Sequence, residues 1–269
     1  MSSSRTEAEG LAARWLEPPA HDAVAGVPVV ELNPAGGPQR QGLLLHLHGG
    51  AFAFGSAQDT TSAMLCHLTG LRTFSVDYPL APEHPFPEPL KAVDDVLDEM
   101  LDGDVPIVVS GVSAGGNLLL GAMLRRAAEG RTQPAAAVLY SPLVDARLVG
   151  DSHRGNRRRD PVLASRSQLR MTRRLYAKGH DLTDPRLSPV LGPAAGPVAP
   201  TLLVSGTRDL LLSDCVRLYW HLRAAESDVH LRLWEGMWHT FTSEPRLPEA
   251  QQAQQCVVEF LTRHLDGTP

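Results

Sequence analysis

A chain of 269 residues is long enough to bury one large core and does not require a second domain. With 43% hydrophobic and 20% charged residues it has the composition of an ordinary soluble globular protein, with neither an internal repeat nor a membrane-spanning run. A net charge of −5 argues against a nucleic-acid partner, because most of such a surface would repel phosphate.

The start of the chain, Met1-Ser2-Ser3-Ser4-Arg5-Thr6-Glu7, lacks the long apolar stretch of a signal peptide. Cys66, Cys215 and Cys256 are few, odd in number and widely spaced. They read as thiols of a reducing compartment with no metal-ligand spacing, so the expected location is cytoplasmic and no metal or cofactor is expected. Leu11 and Ala12, one turn before Trp15 and Leu16, make a short amphipathic helix ahead of Pro18-Pro19.

Leu43–His48 reads as a buried strand running into Gly49-Gly50-Ala51-Phe52. A Gly-Gly loop after an early strand exposes backbone N–H groups that could meet the oxygen of a carbonyl under attack, although alone it would be a plain turn. His48 reads as a hydrogen-bonder that shapes this loop. Glu88–Leu101 has helical periodicity.

Val105–Ser110 is a second apolar strand, and Gly111-Val112-Ser113-Ala114-Gly115 follows it directly, with a helix-length apolar run from Asn117 to Ala128. Gly-x-Ser-x-Gly between strand and helix is a nucleophile elbow, a strained turn that lifts the serine hydroxyl above the sheet. After the strand Ala135–Tyr140 comes a basic stretch, Arg147–Lys178, with ten Lys or Arg and two Asp. It reads as a solvated surface, with steering of anionic substrates or of a membrane surface as the alternative.

A serine needs a base, and the base needs a partner that fixes its tautomer. The strand Pro200–Gly206 opens onto Thr207-Arg208-Asp209, and the strand Leu231–Trp234 onto Glu235-Gly236-Met237-Trp238-His239. Acid and base thus both emerge at strand ends, where open α/β sheets place their ligands. His221 falls in the helical run Ser213–Glu226, His230 in a strand and His264 in the terminal helix Pro248–Leu265, so His239 is the preferred base. Asp214 rivals Asp209 as the acid, but it sits in the first turn of a helix, where a carboxylate is favoured by the dipole. Alternating strands and helices predict a mostly parallel sheet covered on both faces.

Taken in order, His48-Gly49-Gly50-Ala51, Asp77-Tyr78-Pro79-Leu80-Ala81-Pro82-Glu83-His84-Pro85-Phe86-Pro87, Gly111–Asn117, Asp184-Pro185 with Leu187-Ser188-Pro189, Gly206–Asp209 and Gly236–His239 resemble the hormone-sensitive-lipase-like esterases. The resemblance covers about residues 43–241. It implies a single α/β-hydrolase domain over 1–269, with small lid pieces at about 1–28 and about 147–183. It implies hydrolysis of carboxylic esters, usually short-chain, through an acyl-enzyme, with Ser113, Asp209 and His239 as triad. The oxyanion donors would be the N–H groups of Gly50, Ala51 and Ala114. Phe52, Phe54 and Trp238 are candidates for the substrate wall. A lactonase, a natural-product acetyl esterase or a small-amide hydrolase would use the same triad, whereas a non-catalytic ligand-binding relative would be expected to have lost part of it. The expected partner is a small ester, without stable membrane association, and a homodimer is left open. Three departures stand out: Ala51 replaces a third glycine, Val112 an aspartate, and Pro79 an arginine. Ala51 is harmless with negative φ and costly with positive φ.

Overall fold

The computed structural model describes residues 14–163, 166–193 and 196–267, with the backbone alone at 166–168. The strands are β1 (Ala20–Val24), β2 (Val27–Leu32), β3 (Leu43–Leu47), β4 (Arg72–Val76), β5 (Ile107–Val112), β6 (Ala136–Tyr140), β7 (Thr201–Gly206) and β8 (Val229–Trp234). They form one sheet in the order β1-β2-β4-β3-β5-β6-β7-β8. From β4 to β8 every neighbouring pair is parallel, and β2 joins β4 antiparallel.

The helices are α1 (Thr60–Thr69), α2 (Glu88–Leu101), α3 (Ala114–Ala128), α4 (Ser152–Gly155), α5 (Arg166–Ala177), α6 (Leu212–Ala224) and α7 (Pro248–Leu265). Strand alternation sorts the core into two layers. Leu45, Leu47, Ile107, Val109, Ala137, Leu139 and Leu203 point to the side holding α2, α3 and α6. Leu44, Val108, Val112, Val138, Tyr140, Leu202 and Val204 point to the side of α1 and α7. Because both faces of β5 are covered, its whole length is buried, which is why it reads as an unbroken apolar run.

One boundary differs from expectation. The first lid piece was expected to reach about residue 28, yet Ala20–Val24 and Val27–Leu32 form an antiparallel hairpin at the sheet edge. Ala25 (φ 51°) and Gly26 (φ 76°) are both left-handed, the backbone a two-residue hairpin turn needs. Leu11 and Ala12 lie outside the described residues. Trp15 stacks on His67 of α1 with ring centroids 5.1 Å apart. The second expected piece, between β6 and β7, carries α4 and α5.

Candidate active site

Adjacent parallel strands bring the chemistry together. The chain leaves β3 and β4 towards one side of the sheet order and β5 to β8 towards the other, so the order reverses between β3 and β5. At such a switch point the loops diverge and open a crevice. The Gly49-Gly50 loop leaves β3 and the elbow leaves β5, its immediate neighbour.

Ser113 has φ 53° and ψ −109°, a strained conformation for a residue with a side chain. Its N–H donates to Tyr140 O at 2.9 Å, and its carbonyl accepts from the N–H groups of Asn117 and Leu143, each at 3.1 Å. The flanking glycines are set by close approach. A Cβ on Gly115 would overlap the carbonyl oxygens of Leu47 and His48, and one on Gly111 would lie 2.9 Å from Gly115 O. Only glycine lets the start of α3 sit this tightly over β3 and β5.

His239 follows β8 in a loop, and Asp209 follows β7. His239 Nε2 lies 3.1 Å from Ser113 Oγ, and Nδ1 lies 3.1 Å from Asp209 Oδ1. With Nδ1–H given to the carboxylate, Nε2 is left to accept the serine proton. Asp209 is fully buried; Oδ1 also accepts from Leu211 N–H at 2.8 Å, and Oδ2 from Ser205 Oγ at 2.8 Å. Burial works against its charge, but the facing His239 and these bonds outweigh it and hold the carboxyl below the usual carboxylate range. For His239 burial opposes protonation, yet Asp209, with Asp160 and Asp214 beyond it, raises its pKa above the ordinary histidine value.

The rival residues are engaged elsewhere. Asp214 faces His153 Nε2 at 3.0 Å and accepts from Val144 N–H at 3.0 Å, and burial pushes its carboxyl up. His230 pairs with Asp228 on the surface, and His264 Nδ1 meets Phe260 O.

In the β3 loop, Gly50 has φ 126°, and a Cβ there would collide with Phe54 O. Ala51 has φ 53° and Phe52 φ 65°, so Ala51 takes the costly branch. Gly50 and Ala51 share with Ser113 and His239 the wall of a cavity of about 400 Å³. Ala114, fully buried, opens α3 directly after the serine. His48 Nδ1 donates to Gly49 O at 2.7 Å and its ring stacks on Tyr78, which shapes the loop from behind.

Of the three aromatic wall candidates, Phe54 lines the cavity and is 52% exposed. Phe52 does not: the left-handed turn swings it into the core, where it stacks on Tyr176 with centroids 3.9 Å apart. Trp238 packs partly buried against the α7-side core and is likewise not part of the cavity wall. The remaining apolar wall comes from Val112 and from the lid residues Val162, Leu163 and Leu169.

Two supporting residues escaped sequence reasoning. Asn156 Nδ2 donates to the carbonyls of Thr207 and Asp209, and Asp160 Oδ2 accepts from Leu210 N–H at 2.8 Å. Asp160 Oδ1 accepts from Val162 and Leu163 N–H at 2.9 and 3.0 Å. Together they tie the cavity-lining lid segment to the loop of the candidate acid. The only sequence signal was an Asp-Pro pair closing an arginine run. Among the described residues no Lys or Arg of the basic stretch lines the cavity, and no group of three His, Cys, Asp or Glu is placed to share a metal ion. Among them, too, no helix is long and apolar enough to cross a membrane.

The profile of the alpha/beta hydrolase fold family matches residues 44–243. An esterase of Acinetobacter venetianus is 36% identical over 82% of this chain and 74% of its own length. An acetyl-hydrolase of Streptomyces hygroscopicus is 32% identical over 81% of this chain and 74% of its own. The crystal structure of an esterase from the bacterial hormone-sensitive lipase family superimposes with a TM-score of 0.87 at 29% identity, covering 97% of this chain and 90% of the other. The chain belongs to the hormone-sensitive-lipase-like carboxylesterases of the α/β-hydrolase superfamily. In this esterase the sheet, the switch-point crevice and the order of Ser113, Asp209 and His239 along the chain are those of the α/β-hydrolase fold.

Proposed function

We propose that the esterase hydrolyses short-chain carboxylic esters through a Ser113–His239–Asp209 triad. The observation that carries this is the continuous line of contacts from Ser113 Oγ to His239 Nε2 and from His239 Nδ1 to Asp209. His239 takes the serine proton as Ser113 Oγ attacks the ester carbonyl. The oxyanion that develops is met by the N–H groups of Gly50, Ala51 and Ala114. As the C–O bond to the alcohol breaks, His239 returns the proton to the leaving oxygen, and the acyl group stays on Ser113. Water then enters, His239 takes one of its protons, and the acid leaves as Ser113 Oγ regains its hydrogen.

The short-chain preference follows from the wall. Each buried CH₂ contributes about 0.8 kcal/mol to binding, so a long chain gains only where apolar wall continues. Here Phe54 and Val162 are more than half exposed (52% and 54%), so the apolar lining gives out into solvent within a cavity of about 400 Å³. Acyl chains of roughly two to six carbons should therefore be preferred. A panel of p-nitrophenyl esters from acetyl to decanoyl tests this. The expected profile rises and then flattens or falls, and a steady climb in kcat/KM to decanoyl would contradict it. A phosphonate inhibitor should label the Ser113 peptide in stoichiometric amount, as read by mass spectrometry; labelling of another residue would remove the serine from its role.

A further inference from the structure

One stretch of the cavity wall is polar and lies apart from the apolar lining. Ser56, Asp59, Thr60 and Thr61, at the entry to α1, line the cavity. Asp59 caps α1, its Oδ1 accepting from Ser62 N–H at 2.7 Å. Its Oδ2 lies 3.2 Å from His46 Nε2, and His46 Nδ1 lies 2.8 Å from Ser110 Oγ. A carboxylate offers about four acceptor positions, and these contacts fill two. The side chain remains 27% exposed, so capacity is left on the cavity wall. Burial works against the charge, but His46 and the cap bond hold the carboxyl below its usual range.

His48 also lines the cavity, but its Nε2 is sealed from it. His48 is buried, gives its Nδ1–H to Gly49 O, and has no hydrogen-bond partner at Nε2. Burial lowers its pKa and favours the neutral ring, which makes Nε2 an acceptor. Asp59 is the carboxylate among the described lining residues, and no Lys or Arg stands beside it there. A carboxylate on the wall of a substrate cavity, with acceptor positions left over and no cation beside it, favours a ligand that donates.

We propose that Asp59 determines specificity by forming a subsite for the hydroxyl groups of the ester's alcohol part, so that the preferred substrates are short-chain esters of a polyol. This rests on the proposed reaction at Ser113 and adds the leaving group to it. A hydroxyl that donates to Asp59 keeps its own oxygen free to accept from Ser56, Thr60 or Thr61. An anionic alcohol part would be repelled by Asp59, and among the described residues no arginine of the lid lines the cavity to offset it.

The test compares glycerol 1-butyrate with 2,3-dimethoxypropyl butyrate, in which both donors are methylated while the acyl group and the carbon skeleton of the leaving group stay the same. Hydrogen bonds to charged groups predict that wild type prefers the glycerol ester by about tenfold or more in kcat/KM. Asp59→Asn keeps a strong helix cap but loses the charge, and the preference should fall to about threefold or less. Butyrylcholine, which carries a positive charge without a donor, reports attraction to the Asp59 charge alone, and the glycerol ester should still exceed it in kcat/KM. A wild-type ratio near one, a ratio unchanged in Asp59→Asn, or a preference for the choline ester would each overturn the subsite. Failure of the underlying reaction looks different: Ser113→Ala would then still hydrolyse all three esters, whereas an inactive Ser113→Ala with a wild-type ratio near one removes the subsite alone.

Discussion

A serine hydroxyl at neutral pH is a poor nucleophile, and Ser113 is distinguished only by what surrounds it. The backbone strain at φ 53° holds Oγ where His239 Nε2 reaches it, and Asp209 holds the imidazole. Asp209→Asn should cost on the order of 10⁴-fold in kcat, because an amide can donate to Nδ1 and select the wrong tautomer. Asp214→Asn should cost less than about tenfold in kcat, since Asp214 serves His153 and the Val144 amide, and its loss should show in thermal stability instead. Steady-state rates of the two variants decide the matter; a reversed order would transfer the acid role to Asp214. The pH dependence has a definite sign. Protonated His239 cannot accept from Ser113, so kcat/KM should fall as pH drops through the histidine pKa. Asp209 raises that pKa, which places the acid limb at or above the ordinary histidine value of about 6.5. A pH profile flat down to about 5 would contradict a histidine base.

At the scale of elements, the site is an edge between strands and the lid that is pinned to it. Asp160 accepts three backbone N–H groups, two from the segment that lines the cavity and one from Leu210 beside Asp209. Asp160→Ala leaves the buried Leu210 N–H unpaired, at about 1–3 kcal/mol, and frees the more exposed Val162 and Leu163 N–H groups from their anchor. The denaturation midpoint should therefore drop clearly and kcat should fall with it; an unchanged midpoint would show that the lid is held by other contacts. Strands β5, β6 and β7 were legible because burial on both faces leaves a continuous apolar run, and the elbow was legible because close backbone approach at Gly111 and Gly115 admits only glycine on either side of the serine. Asp160 and Asn156 were not, because their partners lie about fifty residues downstream and no local pattern announces a long-range acceptor. Phe52 was misplaced for a related reason. Its neighbours on the chain suggest the cavity, but the positive φ at Ala51 and Phe52 turns the ring towards Tyr176. The hairpin hid because its first strand, β1, is short and mostly exposed, with little alternation.

Across the whole molecule, charge and chemistry are separated. The chain carries −5 overall, while Arg147–Lys178 is strongly basic. Part of that basic surface is committed internally: Arg147 pairs with Asp145 at 2.8 Å, and Arg173 donates to Ala146 O at 3.2 Å. Sequence order alone located the triad candidates, since each follows a parallel strand and all such strands end on one side of the sheet. The composition of the cavity wall, by contrast, depends on which side chains the loops turn inward, and that needed coordinates. The central claim is that one hydroxyl, Ser113 Oγ, does the bond-breaking. The kcat of purified Ser113→Ala on p-nitrophenyl butyrate, with an unchanged melting curve, tests it most directly. The account predicts a loss on the order of 10⁴-fold or more, and a variant that keeps even about a tenth of wild-type kcat would contradict it.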